Sequence, residues 1–488
     1  MLKRQACSSQ PPLSYTHSPS SSTVQLQAKA SNNACTSLAA AQSRILHLSL
    51  LIRLLSLFLL LLASHLQQPF DTSHQLLSFS LDPSTAHLLS SGPFHWLLSF
   101  VRWDTIHFLS SASPYNAPQH IGGYRWEQTL AFQPEIIALL RVTGYVTPSM
   151  DGSWSPTSAI LLTTILANLA TLVAPVLLFR LSLRVTGNAK LAESAAMLSI
   201  LAPAAGTTLS CPTPEPFFSL ASLVGMLALE NSNQAGQIRW RSLVAASLSF
   251  AVATAFRANG TLLVGYIAFA LLRAARVENA ILLLLKLMVG GAVCVAPNVL
   301  FQVWAYTRFC LSGKSRPWCE GRLPSIYSFV QSHYWNVGFL RYWQLSQLPN
   351  FALAAPVLLA IAYTVFAYYR TSTPREIGFS LNPLASPLAS PLASPLASKK
   401  EAERLGLSSA AKAVPYVVHG LVLGLVLLFA SHVQIALRLA TPGGMPMVWW
   451  GAAHAVVQSK RWRKVVVGYL AVQYGVGIVL YAGFYPPA

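Results

Sequence analysis

Charged side chains are scarce in this 488-residue chain, making up 10% of it, against about 25% in an average soluble protein. Acidic residues are the scarcest, 14 against 33 Lys and Arg, and none precedes Asp71. With 53% hydrophobic residues and a mean hydropathy of +0.49, an ordinary soluble globule is excluded and the membrane becomes the solvent. The six cysteines form no CxxC pair and no Cys/His cluster at zinc spacing, which excludes a thiolate metal centre. No duplicated halves are visible, which counts against a transporter built from repeats. The formal charge of +19 lacks the polar clustering of a DNA- or RNA-binding domain, so no nucleic-acid partner is expected. Lys and Arg stand between apolar runs, where the positive-inside rule puts them.

What is present is a series of apolar segments. Residues 1–43, rich in Ser, Gln, Thr and Pro, read as a disordered tail. A first span follows at 44–63, interrupted by Arg53. Others fall near 158–179, 191–209, 216–229, 243–256, 262–272, 281–301, 351–368, 417–435, 447–457 and 465–481. The expectation is an all-α polytopic membrane protein of about 11 spans, several of them shorter than the roughly 20 residues a full crossing needs. A cytosolic N-terminus puts Arg180, Arg184 and Lys190, then Arg239 and Arg241, Arg273 and Arg276, and Lys460 to Lys464 in cytosolic connections. It leaves two long segments, 67–157 and 302–350, on the lumenal side of a core running from 44 to 369. Residues 370–413 carry four Pro-Leu-Ala-Ser units and read as a low-complexity cytosolic insert. Residues 414–488 supply the C-terminal transmembrane helices. Cys310 and Cys319 share a lumenal segment, where a disulfide and free thiols are both compatible with the sequence.

So few carboxylates make the search for chemistry short. Asp104 lies in Arg102-Trp103-Asp104-x-x-His107, an apolar-aromatic patch that brings a carboxylate between competing pKa influences. A catalytic acid or base and an interfacial helix with an Arg–Asp pair fit equally well. Glu127 follows Gly122-Gly123, a turn able to return it toward Asp104; a surface Glu beside Arg125 is the plain alternative. Tyr334-Trp335-Asn336 opens an aromatic stretch suited to a sugar face, or to a membrane-interface belt. Arg257 and Asn259 interrupt an apolar region at a predicted lumenal boundary. Arg257 there is either a phosphate contact or a snorkelling helix-end cation.

Taken in order, these blocks resemble the PIG-V family of mannosyltransferases that assemble glycosylphosphatidylinositol (GPI) anchors. The residues that carry the likeness are Arg102-Trp103-Asp104-x-x-His107-Phe108, Tyr124-x-x-Glu127 with Ala131-Phe132-x-Pro134, Arg257-Ala258-Asn259-Gly260, Gln331-Ser332-x-Tyr334-Trp335-Asn336, and His432-Val433-Gln434 with Arg438. The chain departs from the family pattern at Gln128, at Gln133 and in Cys211-Pro212-Thr213-Pro214-Glu215. The resemblance implies a GT-C-type transmembrane helix bundle in the endoplasmic reticulum membrane with a lumenal active site. It implies dolichol-phosphate-mannose as donor, a GPI precursor glycolipid as acceptor, α-1,6 transfer with inversion, and a small membrane subunit as partner. Asp104 is then the expected base, Glu127 its helper, and Arg257, with Arg438 or His432, the phosphate contacts. Arg102, Trp103, His107, Asn259, Tyr334, Trp335, Asn336 and Gln434 complete the expected substrate contacts. No cofactor or metal is demanded, since dolichol phosphate is already a competent leaving group. A lipid-linked-sugar transporter or scramblase and a non-catalytic assembly subunit are the rival readings.

Overall fold

A computed structural model describes residues 21–371 and 410–485, apart from 71–80, 82–88, 90–91, 115, 118–119, 122, 125, 148–151, 233–237, 275–277, 312–315 and 322–323. The insert with the Pro-Leu-Ala-Ser units lies outside the described residues. In chain order the helices are α1 (Ser21–Leu66), α2 (Asp104–Ala112), α3 (Pro134–Gly144), α4 (Pro156–Thr186), α5 (Ala189–Ser199), α6 (Glu215–Ser232), α7 (Trp240–Phe256) and α8 (Val264–Ala274). They continue with α9 (Ala280–Phe309), α10 (Ile326–His333), α11 (Leu348–Thr371), α12 (Ala410–Phe429), α13 (Ile435–Leu439), α14 (Pro446–Gln458) and α15 (Lys460–Ala482). The only β structure among the described residues is a two-residue antiparallel pairing, Asn116–Ala117 with His120–Ile121. The protein is an all-helical, multi-pass membrane protein.

The helix ends follow from local chemistry. The Ser155 hydroxyl accepts the Ser158 N–H at 3.3 Å before α4, and Gly187, at φ 69°, closes that helix in the left-handed conformation glycine tolerates best. Asn279 caps α9 by accepting from Ile281 N–H at 2.8 Å. Helix α1 begins at Ser21, well inside the stretch expected to be a tail. Its Ala41 and Ile45 pack against Phe179, Ala192 and Ala196, and that burial favours helix over coil.

Six described helical stretches are long and apolar enough to cross a membrane: Thr36–Leu66, Pro156–Thr186, Ala280–Phe309, Leu345–Arg370, Lys412–Phe429 and Lys460–Ala482. The other five segments expected as spans coincide with α5, α6, α7, α8 and α14, which are shorter. The segment read as 191–209 is not one helix. It stops at Ser199 and continues through buried turns to Pro214. Helix α12 likewise ends at Phe429, before Ile435.

Arg53, the charge that interrupts the first span, explains those turns. Its guanidinium, 3% exposed, donates to Ala205 O at 2.6 Å, to Ser210 Oγ at 3.2 Å and to Ile200 O at 3.3 Å. Carbonyls freed where α5 stops are thereby satisfied away from water, as membrane-embedded backbone requires.

The helices sort two chemistries to opposite ends. At one, Lys412 reaches Arg184 O, Tyr416 donates to Glu230, Arg44 pairs with Glu193 at 2.6 Å, and Lys286 pairs with Glu278. At the other lie the start of α6, the end of α7, α2 and the segment 324–350. Replacing Arg53 with Ala should lower the unfolding free energy by about 3 kcal/mol, because several buried carbonyls lose their donor. Thermal unfolding in detergent would show this as a reduced midpoint, with Arg53→Lys falling between the two.

Candidate active site

Asp104 is the first residue of α2, and the residue before it, Trp103, has φ 49° and ψ −123°. A tryptophan in that region of backbone space costs on the order of 1–3 kcal/mol and persists only where surroundings impose it. Arg102 imposes it. Its side chain donates to Ala482 O at 3.0 Å, to Val101 O at 3.2 Å and to Leu98 O, and lies 4.5 Å from the centroid of Phe484. This arginine therefore ties α2 to the end of α15, and its polar contacts are with backbone.

The Asp104 carboxylate accepts from Arg438 Nη1 at 2.6 Å. Arg438, on α13, also donates through Nε to Glu215 Oε1 at 2.9 Å and is ion-paired with that oxygen through Nη2 at 2.6 Å. The same oxygen of Glu215 is paired with Arg257 Nη1, and Arg257 Nε donates to Asn259 Oδ1 at 3.2 Å. Two glycines bring these elements together. A Cβ on Gly443 would strike the backbone of Ser219 in α6, and one on Gly260 would lie 2.6 Å from Thr254 Cα and N. Only glycine lets the loop after α13 and the 3₁₀ turn after α7 approach so closely.

This network forms one wall of a cavity of about 240 Å³. Asp104, Arg257, Asn259 and Arg438 stand on it beside Gln133, Tyr327, Gln331 and Trp335, while Leu262, Leu423 and Val426 form an apolar side. Phe132 meets Trp335 and Phe108 at centroid distances of 5.5 and 5.0 Å. His107, one turn after Asp104, stacks on Phe132 at 6.1 Å. Burial holds its pKa below the ordinary histidine value while Asp104 pulls the other way.

Glu127 stands elsewhere. It accepts from Trp318 Nε1 at 2.5 Å and Tyr334 Oη at 3.0 Å, with Arg316 at 3.8 Å. No hydrogen bond or ion pair joins it to Asp104 among the described residues. Its work in the structure is to fasten the segment after α9 onto the 3₁₀ turn Glu127–Ala131. The Cys310–Cys319 disulfide closes the ring that carries Trp318. A second fastening holds the far side: His432 Nε2 bonds Trp335 O at 2.7 Å, Tyr342 donates to Gln434 at 2.7 Å, and Asn350 donates to Tyr342 at 2.9 Å. Asn336 supports this chain reversal with φ 52°.

The sequence of residues 42–488 matches the model of the family described as Mannosyltransferase (PIG-V). The chain belongs to the PIG-V mannosyltransferase family. Among its relatives, the GPI mannosyltransferase 2 of Cryptococcus neoformans var. neoformans is 32% identical over 481 residues, 92% of this chain and 97% of that one. The GPI alpha-1,6-mannosyltransferase 2 of Cricetulus griseus is 32% identical over 86% of this chain and 85% of its own. The human protein of that name is also 32% identical, over 72% of each chain. The archaeal oligosaccharyltransferase AglB from Archaeoglobus fulgidus aligns at 10% identity with a TM-score of 0.37, over 90% of this chain and 56% of that one. A likeness that loose carries no argument.

Of the residues singled out in sequence, Asp104, Arg257, Asn259, Trp335 and Arg438 meet at the cavity of this family member. Arg102, Trp103, His107, Glu127, Tyr334, Asn336, His432 and Gln434 do not line it; most of them hold its walls. Glu215 escaped the sequence reading, although it follows the Cys-Pro-Thr-Pro departure and was one of few acids outside the basic connections. Among the described residues no group of three His, Cys, Asp or Glu gathers at metal-binding distance. Arg102→Gln should destabilise the protein by about 2 kcal/mol through its lost carbonyl contacts, with the KM for donor unchanged. A raised KM at unaltered thermal stability would instead place Arg102 on the substrate.

Proposed function

We propose that this chain transfers mannose from dolichol-phosphate-mannose to a GPI precursor, forming an α-1,6 bond on the lumenal side of the endoplasmic reticulum membrane. The relatives' names support the α-1,6 linkage and the acceptor. The observation that carries the chemistry is one hydrogen-bonded network, Asp104–Arg438–Glu215–Arg257, on the wall of a cavity with an apolar side. A carboxylate and two guanidiniums within one network answer the two demands of an inverting displacement: a base for the acceptor hydroxyl and cations for the departing phosphate.

In the proposed step the acceptor oxygen attacks the mannosyl anomeric carbon from the face opposite the phosphate. The bond from that carbon to the phosphate oxygen breaks, its electron pair stays on the phosphate, and the hydroxyl proton passes to Asp104. Arg438 links the two events. As Asp104 is neutralised its hold on Arg438 weakens, at the moment the leaving phosphate gains negative charge. Arg257, positioned by Glu215 and Asn259, is the second phosphate contact. Trp335 and Phe132 offer flat apolar faces to a sugar ring. The polyprenyl chain leaves along Leu262, Leu423 and Val426 toward the lipid.

Glu127 takes the part of a positioning residue in this reading, acting through Trp318, Tyr334 and thereby Trp335. The segments 67–157 and 302–350 make up the lumenal face, the disulfide fits an oxidising lumen, and the basic connections at the opposite end fit the cytosol. A small membrane subunit is a further proposed partner, tested by its coexpression.

Microsomes given dolichol-phosphate-mannose and a monomannosylated GPI precursor test the proposal. Asp104→Asn should cut the rate by about 10²–10⁴-fold, the usual contribution of a general base, at unchanged protein level. Product formation at the wild-type rate would remove Asp104 from that role. Glu127→Gln, which keeps the fold of the clamp but weakens its charge-assisted bonds, should cost only about tenfold. A wild-type chain that moves the donor lipid across vesicles without forming product would favour the transporter reading.

A further inference from the structure

The two carboxylates of the cavity network occupy unequal positions. The Asp104 side chain is 34% exposed and that of Glu215 is 1% exposed. Glu215 Oε1 is occupied by Arg257 on one side and Arg438 on the other, and both arginines reach the cavity wall. Asp104 is the group that changes charge in the proposed reaction, so it cannot serve as the fixed counter-ion. Glu215, out of reach of water and of the acceptor, can. One anion fixed between two cations removes one unit of positive charge from the site in either state of Asp104: the network sums to zero while Asp104 is ionised and to a single positive charge once Asp104 has taken the proton.

A phosphodiester carries one negative charge at neutral pH, whereas a phosphomonoester carries about 1.5–2. The donor in the proposed reaction is a diester and the departing lipid a monoester. We propose that Glu215 is a positioning residue that keeps the net positive charge of this anion site at no more than one, enough for a polyprenyl phosphodiester, and so withholds extra affinity from the phosphomonoester product. The inference rests on the transferase reading of the cavity. Without the carboxylate, both guanidiniums are free to converge on the more highly charged product in a weakly screened site. The product then leaves slowly. Glu215 therefore limits the strength of the very cations it holds in place.

A purely architectural role predicts a different outcome. If Glu215 only kept the arginines in position, its loss would let like charges separate, and every anionic ligand would bind more weakly by a similar factor.

Binding of a short-chain polyprenyl phosphate and of its methyl diester to the purified full-length chain separates these cases, with wild type, Glu215→Gln and Glu215→Asp compared in detergent. Glu215→Gln should tighten the monoester about tenfold relative to the diester, a change of one unit charge in a partly desolvated site. Glu215→Asp, which keeps the charge, should return the ratio toward wild type. In turnover, Glu215→Gln should lower kcat without raising the donor KM. The double variant Glu215→Gln/Arg257→Gln, which removes one charge of each sign, should restore the wild-type ratio. Arg257→Gln alone should weaken the monoester more than the diester, a readout that survives if Glu215→Gln fails to fold. An unchanged ratio in Glu215→Gln and in Arg257→Gln, or equal weakening of both ligands in either, overturns the proposal. Failure of the transferase reading looks different: the variants would shift the ratio as expected, and the wild type would still transfer no mannose.

Discussion

A charge taken out of water must find an opposite charge or a dense set of dipoles, and the architecture turns on how Glu215 meets that requirement. Its carboxylate draws the end of α7 and the buried segment around α13 onto the start of α6, three elements far apart in sequence. The desolvation of such a group is of several kcal/mol per ion, returned only by close, well-aligned partners. The constraint is therefore geometric as much as energetic. Any arrangement that satisfies Glu215 also delivers Arg257 and Arg438 to the same cavity, and Arg438 in turn fixes the carboxylate of Asp104. The same rule operates deeper in the bundle, where Arg53 substitutes for the missing helical hydrogen bonds of the 200–214 turns.

Much of the fold was legible in sequence because the membrane reads hydropathy directly. The long apolar helices α1, α4, α9, α11, α12 and α15 fall where long apolar runs stand, Arg53 in α1 and Lys286 in α9 notwithstanding, and the basic connections cluster at the end opposite the cavity. The shorter elements were less legible for a physical reason. A run such as 191–209 is apolar whether it forms one span or, as here, a helix followed by buried turns, and hydropathy does not register where the backbone stops repeating. The start of α1 was missed on similar grounds: Ala41 and Ile45 gain their helical environment from α4 and α5, which lie far away in the chain.

The site divides along the same line. Asp104 and Arg257 stood out because a charge in an apolar context is conspicuous whatever surrounds it. What the linear pattern does not carry is which polar residue faces the cavity and which faces another loop. His432 and Gln434 are ligand contacts by the resemblance, yet in the structure His432 Nε2 is bonded to Trp335 O and Gln434 Oε1 accepts from Tyr342. Arg102 is two residues from Asp104 and still points into backbone. Glu215 is the converse case, an acid noted only as the end of a Pro-rich departure and given no role, that proves to be the hub, and only its long-range partners reveal it.

Trp318, which grips Glu127, sits inside the small covalent ring closed by Cys310 and Cys319. That ring narrows the conformations open to the segment before any substrate arrives. The aromatic wall is thus largely preassembled: ordering entropy is spent during folding rather than at each encounter with a sugar. For a catalyst whose two lipid ligands must meet by lateral diffusion in a crowded bilayer, a wall already standing shortens the list of motions that have to coincide.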